Sequence, residues 1–145
     1  MGTRRQAREC ALQMLYQLDM SASSTDEAIA HFWEANPAGE DVRLFANELV
    51  KGVASNVEGI DSLLAAHSTN WKLSRMAAVD KNILRMAAFE ITRRTDIPPK
   101  VTINEAVEIA KKFGTADSGA FVNGILDNIA HGVSKEGGEE EGASV

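Results

Sequence analysis

The sequence is poor in cysteine, proline, histidine and aromatics: one, three and three residues of the first three types, and 6% aromatics, in a chain of 145. The lone thiol, Cys10, excludes an intramolecular disulfide framework. It sits among apolar helical positions, where a buried inert thiol is expected rather than a nucleophile, which needs open, electropositive surroundings. His31, His67 and His131 are scattered, with no HxxxH spacing and no CxxC companion, so no metal is expected. No run approaches the roughly 20 uninterrupted apolar residues of a membrane span, and the chain opens on an arginine-bearing amphipathic segment, so a cytoplasmic protein without membrane contact is expected. The glycine-rich phosphate loops, the GxSxG elbow and the HExxH metal motif are all missing. Neither cofactor nor catalytic residue is expected, and the chain is read as a non-enzyme.

Acidic charge is what the chain does have, with a formal net charge of −6. That sum hides an uneven distribution. Residues 1–20 balance at +1, residues 21–70 at −6 and residues 71–112 at +4. Phosphate binding depends on a local basic surface rather than on the total, so a polarised molecule with basic regions at the start and in the third quarter remains compatible with nucleic acid.

The periodicity is helical almost throughout. Ala7, Cys10, Ala11, Met14, Leu15 and Leu18 fall on one face at 3.6 residues per turn. Ser24-Thr25-Asp26-Glu27 forms a capping box that opens a second helix, closed by the turn Asn36-Pro37-Ala38-Gly39. A third helix starts at Glu40 and a fourth holds Ile60, Leu63 and Leu64, with a break near Asn56. A polar linker around Trp71 separates these from a helix over 79–94 that is apolar almost all round and reads as the buried centre of a bundle. Ile97-Pro98-Pro99 ends it. Thr102-Ile103-Asn104-Glu105 reads as a second capping box opening a helix that closes at Gly114, and the last helix begins near Asp117-Ser118, with Gly119 and Gly124 suggesting close approach by a helix or a ligand. The expectation is an all-α fold of about seven helices in two small bundles sharing a core, one domain over 1–132 with sub-bundles at about 3–68 and 76–132, and a disordered acidic tail at 133–145.

Paired carboxylates such as Asp26-Glu27 and Glu40-Asp41 lie in helix first turns, where dipole complementarity accounts for them. Glu90 differs, because the projection of the central helix buries it; a structural pairing with an arginine or a helix N-terminus is expected, since an unpartnered buried carboxylate costs several kcal/mol. On the first helix Arg5, Leu12 and Tyr16 project opposite the apolar stripe, with Arg8 and Asp19 at their flank and Arg4 nearer the core edge. Two readings fit this face. One is a contact patch with exposed Leu12 and Tyr16; the other is a solvated cationic face with Tyr16 packed on a neighbour. RNA recognition would draw its cations from Arg4, Arg5, Arg8, Lys81 and Arg85 and its planar groups from Tyr16, Phe113 and Phe121.

Two strings go beyond periodicity. The run from Arg4-Arg5-Gln6-Ala7-Arg8 to Met14-Leu15-Tyr16, and the run from Val101-Thr102-Ile103-Asn104-Glu105-Ala106 to Lys112-Phe113-Gly114 followed by Ser118 and Phe121-Val122-Asn123-Gly124-Ile125-Leu126-Asp127, resemble the NusB family. The resemblance covers residues 3 to about 131. It implies two helical bundles around a shared core, binding of boxA single-stranded RNA together with the ribosomal protein NusE, and a place in the RNA polymerase antitermination complex on ribosomal RNA operons. Carried over by position, it implies RNA contacts at Arg4, Arg5, Arg8, Lys81, Arg85, Phe113, Asp117, Phe121 and Asn123, and a NusE-facing side with Tyr16 and Asp80, beside which Leu12 projects. Here the arginine cluster is interrupted by Gln6-Ala7, and the acidic tail is an extension whose charge opposes RNA. A NusB-like domain also stands before the catalytic domain of a ribosomal RNA cytosine methyltransferase, and a protein-only adaptor is a third reading. Monomer and homodimer are both compatible with the sequence.

Overall fold

The computed structural model describes residues 3–68 and 72–144, with side chains as far as residue 133. Trp71 and, Val133 excepted, the side chains of the acidic tail expected to be disordered from 133 fall outside the described residues. Seven α-helices are present among the described residues, and no strand: α1 (Thr3–Met20), α2 (Thr25–Ala35), α3 (Glu40–Ser55), α4 (Val57–Ala66), α5 (Ala78–Arg93), α6 (Pro99–Phe113) and α7 (Ser118–Ser144), with one 3₁₀ turn at Leu73–Arg75. None of them is long and apolar enough to cross a membrane.

Local chemistry sets most of these limits. Ser24 caps α2 by accepting from the Glu27 amide at 3.2 Å, while its hydroxyl meets the Glu27 carboxylate at 3.0 Å. Asn56 interrupts the chain between α3 and α4, its side-chain amide donating to the Gly52 carbonyl at 2.8 Å. Gly114 ends α6 with its amide on the Ala110 carbonyl at 2.8 Å.

One boundary departs from expectation. The second capping box does not open α6, which starts three residues earlier at Pro99 with Pro98 as its N-cap. A proline in the first turn loses no helical hydrogen bond, and its φ is already helical, so the Pro-Pro pair that ends one helix also begins the next. Thr102 and Glu105 therefore sit inside the helix and are free for other partners.

Every other helix except α2 packs directly on α5. α1, α2 and α3 pack on one another; α6 and α7 pack on one another; α5 touches α1, α3, α4, α6 and α7. Ile83, Leu84, Met86, Ala87 and Ala88 of α5 are almost wholly enclosed, in a core continuous with Met14 of α1, Leu49 and Val50 of α3, Leu64 of α4, Ile109 of α6 and Leu126 of α7. Close approach requires Gly52, where a Cβ would collide with the Phe89 ring. At Gly119 the Cβ position lies 3.3 Å from Lys111 Cγ, so α6 is the helix that approaches there; at Gly124 nothing lies within 4 Å.

Candidate nucleic-acid and partner interface

The first helix carries its cations into two different environments. Arg8 is 3% exposed and Glu90 is 1% exposed, and they form a bidentate pair, Nη2 to Oε1 at 2.7 Å and Nε to Oε2 at 2.9 Å. The Thr102 hydroxyl donates to the same carboxylate at 3.2 Å. Three helices, α1, α5 and α6, are thus joined through one buried carboxylate. Glu90 finds the arginine partner expected of it. Arg8 is corrected: it is a buried counter-ion, not a surface cation facing RNA phosphates, because leaving Glu90 unpaired in the core would cost far more than an exposed contact returns.

Arg5 and Arg4 remain at the surface. Arg5, with 41% of its side chain exposed, grips Glu105 of α6 in a second bidentate pair, Nε to Oε1 at 2.6 Å and Nη2 to Oε2 at 2.7 Å. Those hydrogen bonds from Arg5 hold the Glu105 carboxyl below its ordinary value, against partial burial, with the charge of Arg8 assisting. Arg4 lies over the Phe45 ring, its guanidinium carbon 4.6 Å from the centroid, with Arg94 at 5.4 Å from the same ring. One turn beyond Arg5, Glu9 accepts from Lys112 at 3.0 Å, and the Lys112 ammonium stands 5.3 Å from the Phe113 ring.

That pairing brings the end of α6 to the first turns of α1. Phe113 is 36% exposed there. The turn that follows is held by the Ser118 hydroxyl, which accepts from the Thr115 amide at 2.9 Å, and by the Phe121 amide on the Asp117 carbonyl at 3.1 Å. A Cβ at Gly114 would meet the Ser118 side chain, which explains the glycine. Asp117 and Asn123 are exposed, and Phe121 is half-buried against the core.

Lys81 and Arg85 stand elsewhere, at the other end of α1. Asp19 receives Lys81 at 3.4 Å and Arg85 at 3.2 Å, and Arg85 is bidentate to Asp61 of α4 at 2.8 Å. Burial works against the charge of Asp19, but the Asn82 amide, Arg85 and Lys81 outweigh it and hold its pKa below the ordinary value. Between Arg5 and Asp19 lie fourteen helical steps, roughly 20 Å along the axis. The fold therefore sets Arg4 against Phe45 of α3, brings Phe113 and Lys112 beside Glu9 one turn beyond Arg5, and places Lys81 and Arg85 nearer to Tyr16 and Asp80. Tyr16 is 41% exposed and borders a groove with Met20, His31 and Phe32. One carboxylate oxygen of Asp80 is buried without a hydrogen-bond partner.

Leu12 is also corrected. It projects away from the main stripe, yet it is 3% exposed and belongs to the core. α1 is packed by α2, α3 and α5, so its buried arc is wider than a single-stripe projection allows. Glu9, Glu105 and Lys112, which had no assigned role in the sequence beyond capping and dipole complementarity, are the residues that knit this surface. Cys10 is half-buried, and burial, aided by Glu9, raises its thiol pKa. No group of three or more His, Cys, Asp or Glu residues that could hold a metal ion occurs among the described residues.

Comparison with known proteins puts a family to this architecture. The NusB family model matches residues 5–131. The transcription antitermination protein NusB of Myxococcus xanthus is 50% identical over 139 residues, covering 93% of this chain and 99% of that protein, and that of Trichlorobacter lovleyi is 54% identical over 129 residues, covering 89% and 91%. Among solved structures, Thermotoga maritima NusB superposes with a TM-score of 0.82 at 36% identity, covering 88% of this chain and 90% of that one. A chain from a crystal structure of the antitermination factors NusB and NusE with double-stranded RNA gives 0.82 at 28% identity, covering 91% and 98%. Fold and sequence match over about nine-tenths of the length, and the chain belongs to the NusB family.

Proposed function

We propose that this protein is a non-catalytic, RNA-binding transcription antitermination factor that takes boxA RNA together with NusE and delivers both to the RNA polymerase antitermination complex. The observation that carries this reading is the likeness, over most of the chain, to a factor solved with NusE and RNA. The surface is of a suitable kind. Arg4, Arg5 and Lys112 supply cations for phosphates, Phe113 and the half-buried Phe121 supply rings, and Asp117 and Asn123 supply polar groups for unpaired bases. Lys81 and Arg85 are proposed as outlying phosphate contacts, reached only by a strand that follows α1 along its length. Tyr16 and Asp80 are proposed for the NusE side, with Met20 added; Leu12 supports that side from within the core. The whole is proposed to act in the cytoplasm.

The test is a titration of a boxA-like single strand, with and without NusE, across a range of salt concentrations. Binding is expected to weaken with salt, to weaken further in Arg4→Ala plus Arg5→Ala, and to tighten with NusE. Affinity independent of salt and of both arginines would overturn the RNA reading in favour of a protein-only adaptor. A double-stranded RNA of the same sequence, run in parallel, decides whether unpaired bases are needed.

A further inference from the structure

Among the described residues, four cations at the junction of α1 and α6 are already matched to a carboxylate, whereas Arg4 and the exposed Lys100 form no ion pair. Arg8 is matched by Glu90, Arg5 by Glu105, Lys112 by Glu9 and Lys111 by Glu108. A phosphate arriving at Arg5 thus meets a guanidinium with two of its donors occupied and little net charge behind it. Of the two carboxylates next to the arginines, Glu90 is enclosed, whereas Glu105 keeps 22% of its side chain open and lies 3.8 Å from Arg8 Nη1 as well. Glu108 and Glu9 add negative charge near Arg5, but Glu105 is the carboxylate seated directly on its guanidinium, where an approaching anion would be repelled most.

We propose that Glu105 is a specificity-determining residue of the RNA face: its carboxylate competes with RNA phosphate for Arg5, so that only a strand whose other contacts place a phosphate well displaces it. This rests on the RNA-binding reading. The physical basis is that phosphate attraction is the sequence-independent part of binding, and an internal anion on the same guanidinium subtracts from that part first. A carboxylate facing the ligand acts as a repulsive element against poorly fitted partners. Arg4, held on the Phe45 ring and forming no ion pair among the described residues, supplies the opening attraction. Exchange at Arg5 then follows, with the Glu105 carboxylate returning to water.

The experiment compares the full chain with Glu105→Gln, Arg5→Ala and the double variant, titrated with a boxA-like single strand and with a scrambled strand of equal length. Glu105→Gln is expected to tighten the scrambled strand by about two- to five-fold, the range of an exposed ion pair, and the boxA-like strand by less. For the scrambled strand the salt dependence should steepen by about 0.7 in the log–log slope, one further phosphate on a single strand. In the Arg5→Ala background the same substitution should no longer steepen the salt slope, because the guanidinium it would free is gone. Glu105→Ala should give the same tightening, and melting curves establish that each variant is folded. Weaker or unchanged binding in both folded Glu105 variants, with Arg5→Ala still weakening it, would overturn the proposal and make Glu105 a support for Arg5. If the unmodified chain binds neither strand, it is the RNA reading itself that fails.

Discussion

Arg8 and Glu90 show what a buried charge pair does in a core of this size. The pair satisfies four donor and acceptor sites and takes a third partner in Thr102, so removal of one partner alone leaves a stranded charge rather than a gap. Arg8→Ala is expected to destabilise the fold by about 3–5 kcal/mol in denaturant titration, and Arg8→Met combined with Glu90→Leu by far less. An unchanged stability for Arg8→Ala would show that its role lies at the surface. The carboxylates behave differently with pH. Asp19, Glu105 and Asp96 all have lowered pKa values, Asp96 to about 2 because of the hydrogen bonds from Arg94. A lowered value means the charged form is favoured by folding, so this stability is fully present above the ordinary carboxylate values of 3.8 and 4.5 and is lost as pH falls through the folded ones. Thermal melts between pH 6 and about 2 should fall off below pH 4.5, and less steeply in Glu105→Gln.

At the scale of the helices, the packing of α3 on α5 is governed by one missing side chain. Gly52 costs helix propensity, about 1 kcal/mol against alanine, yet alanine there would have to move the buried Phe89 ring. Gly52→Ala should therefore destabilise by about 1–3 kcal/mol, although propensity alone predicts a gain. The α2 cap is a milder case: Ser24→Ala should cost about 1 kcal/mol in the same melts. Helix limits were legible where a residue closes on its own helix, through the side chain at Ser24 and Asn56 and through the main-chain amide at Gly114. The start of α6 was not. A capping box and a helix interior share the same residue types, and it is the pull of Glu90 on Thr102 and of Arg5 on Glu105 that withdraws them from capping.

Across the whole molecule, acidic and basic regions are brought together rather than held apart. The acidic middle supplies Glu48 to Arg94 and Asp61 to Arg85, and α1 supplies Asp19 to Lys81. The unpaired basic surface is consequently smaller than the segment charges suggest, and its part at the N-terminal end of α1 is the one proposed for RNA. Arg4→Ala plus Arg5→Ala is expected to weaken boxA binding and flatten its salt slope by about 1.4, whereas Lys81→Ala should have the smaller effect because Asp19 already neutralises it. Filter or fluorescence titrations at two salt concentrations check both. Since α1 borders both surfaces, RNA and NusE are expected to tighten each other by equal factors.

The sequence alone determined the all-helical class, the central place of α5, the pairing demand of Glu90 and the family, because these follow from periodicity, from the cost of an unpaired buried charge and from long matched strings. It could not determine which side chains of α1 face water. The helical projection put Arg4 nearer the core edge than Arg5 and Arg8, and only the placement of α3, α5 and α6 around them buries Arg8, pairs Arg5 and leaves Arg4 exposed on a ring. Leu12 is enclosed for the same reason: a helix packed from several directions buries more of its circumference than its apolar stripe discloses.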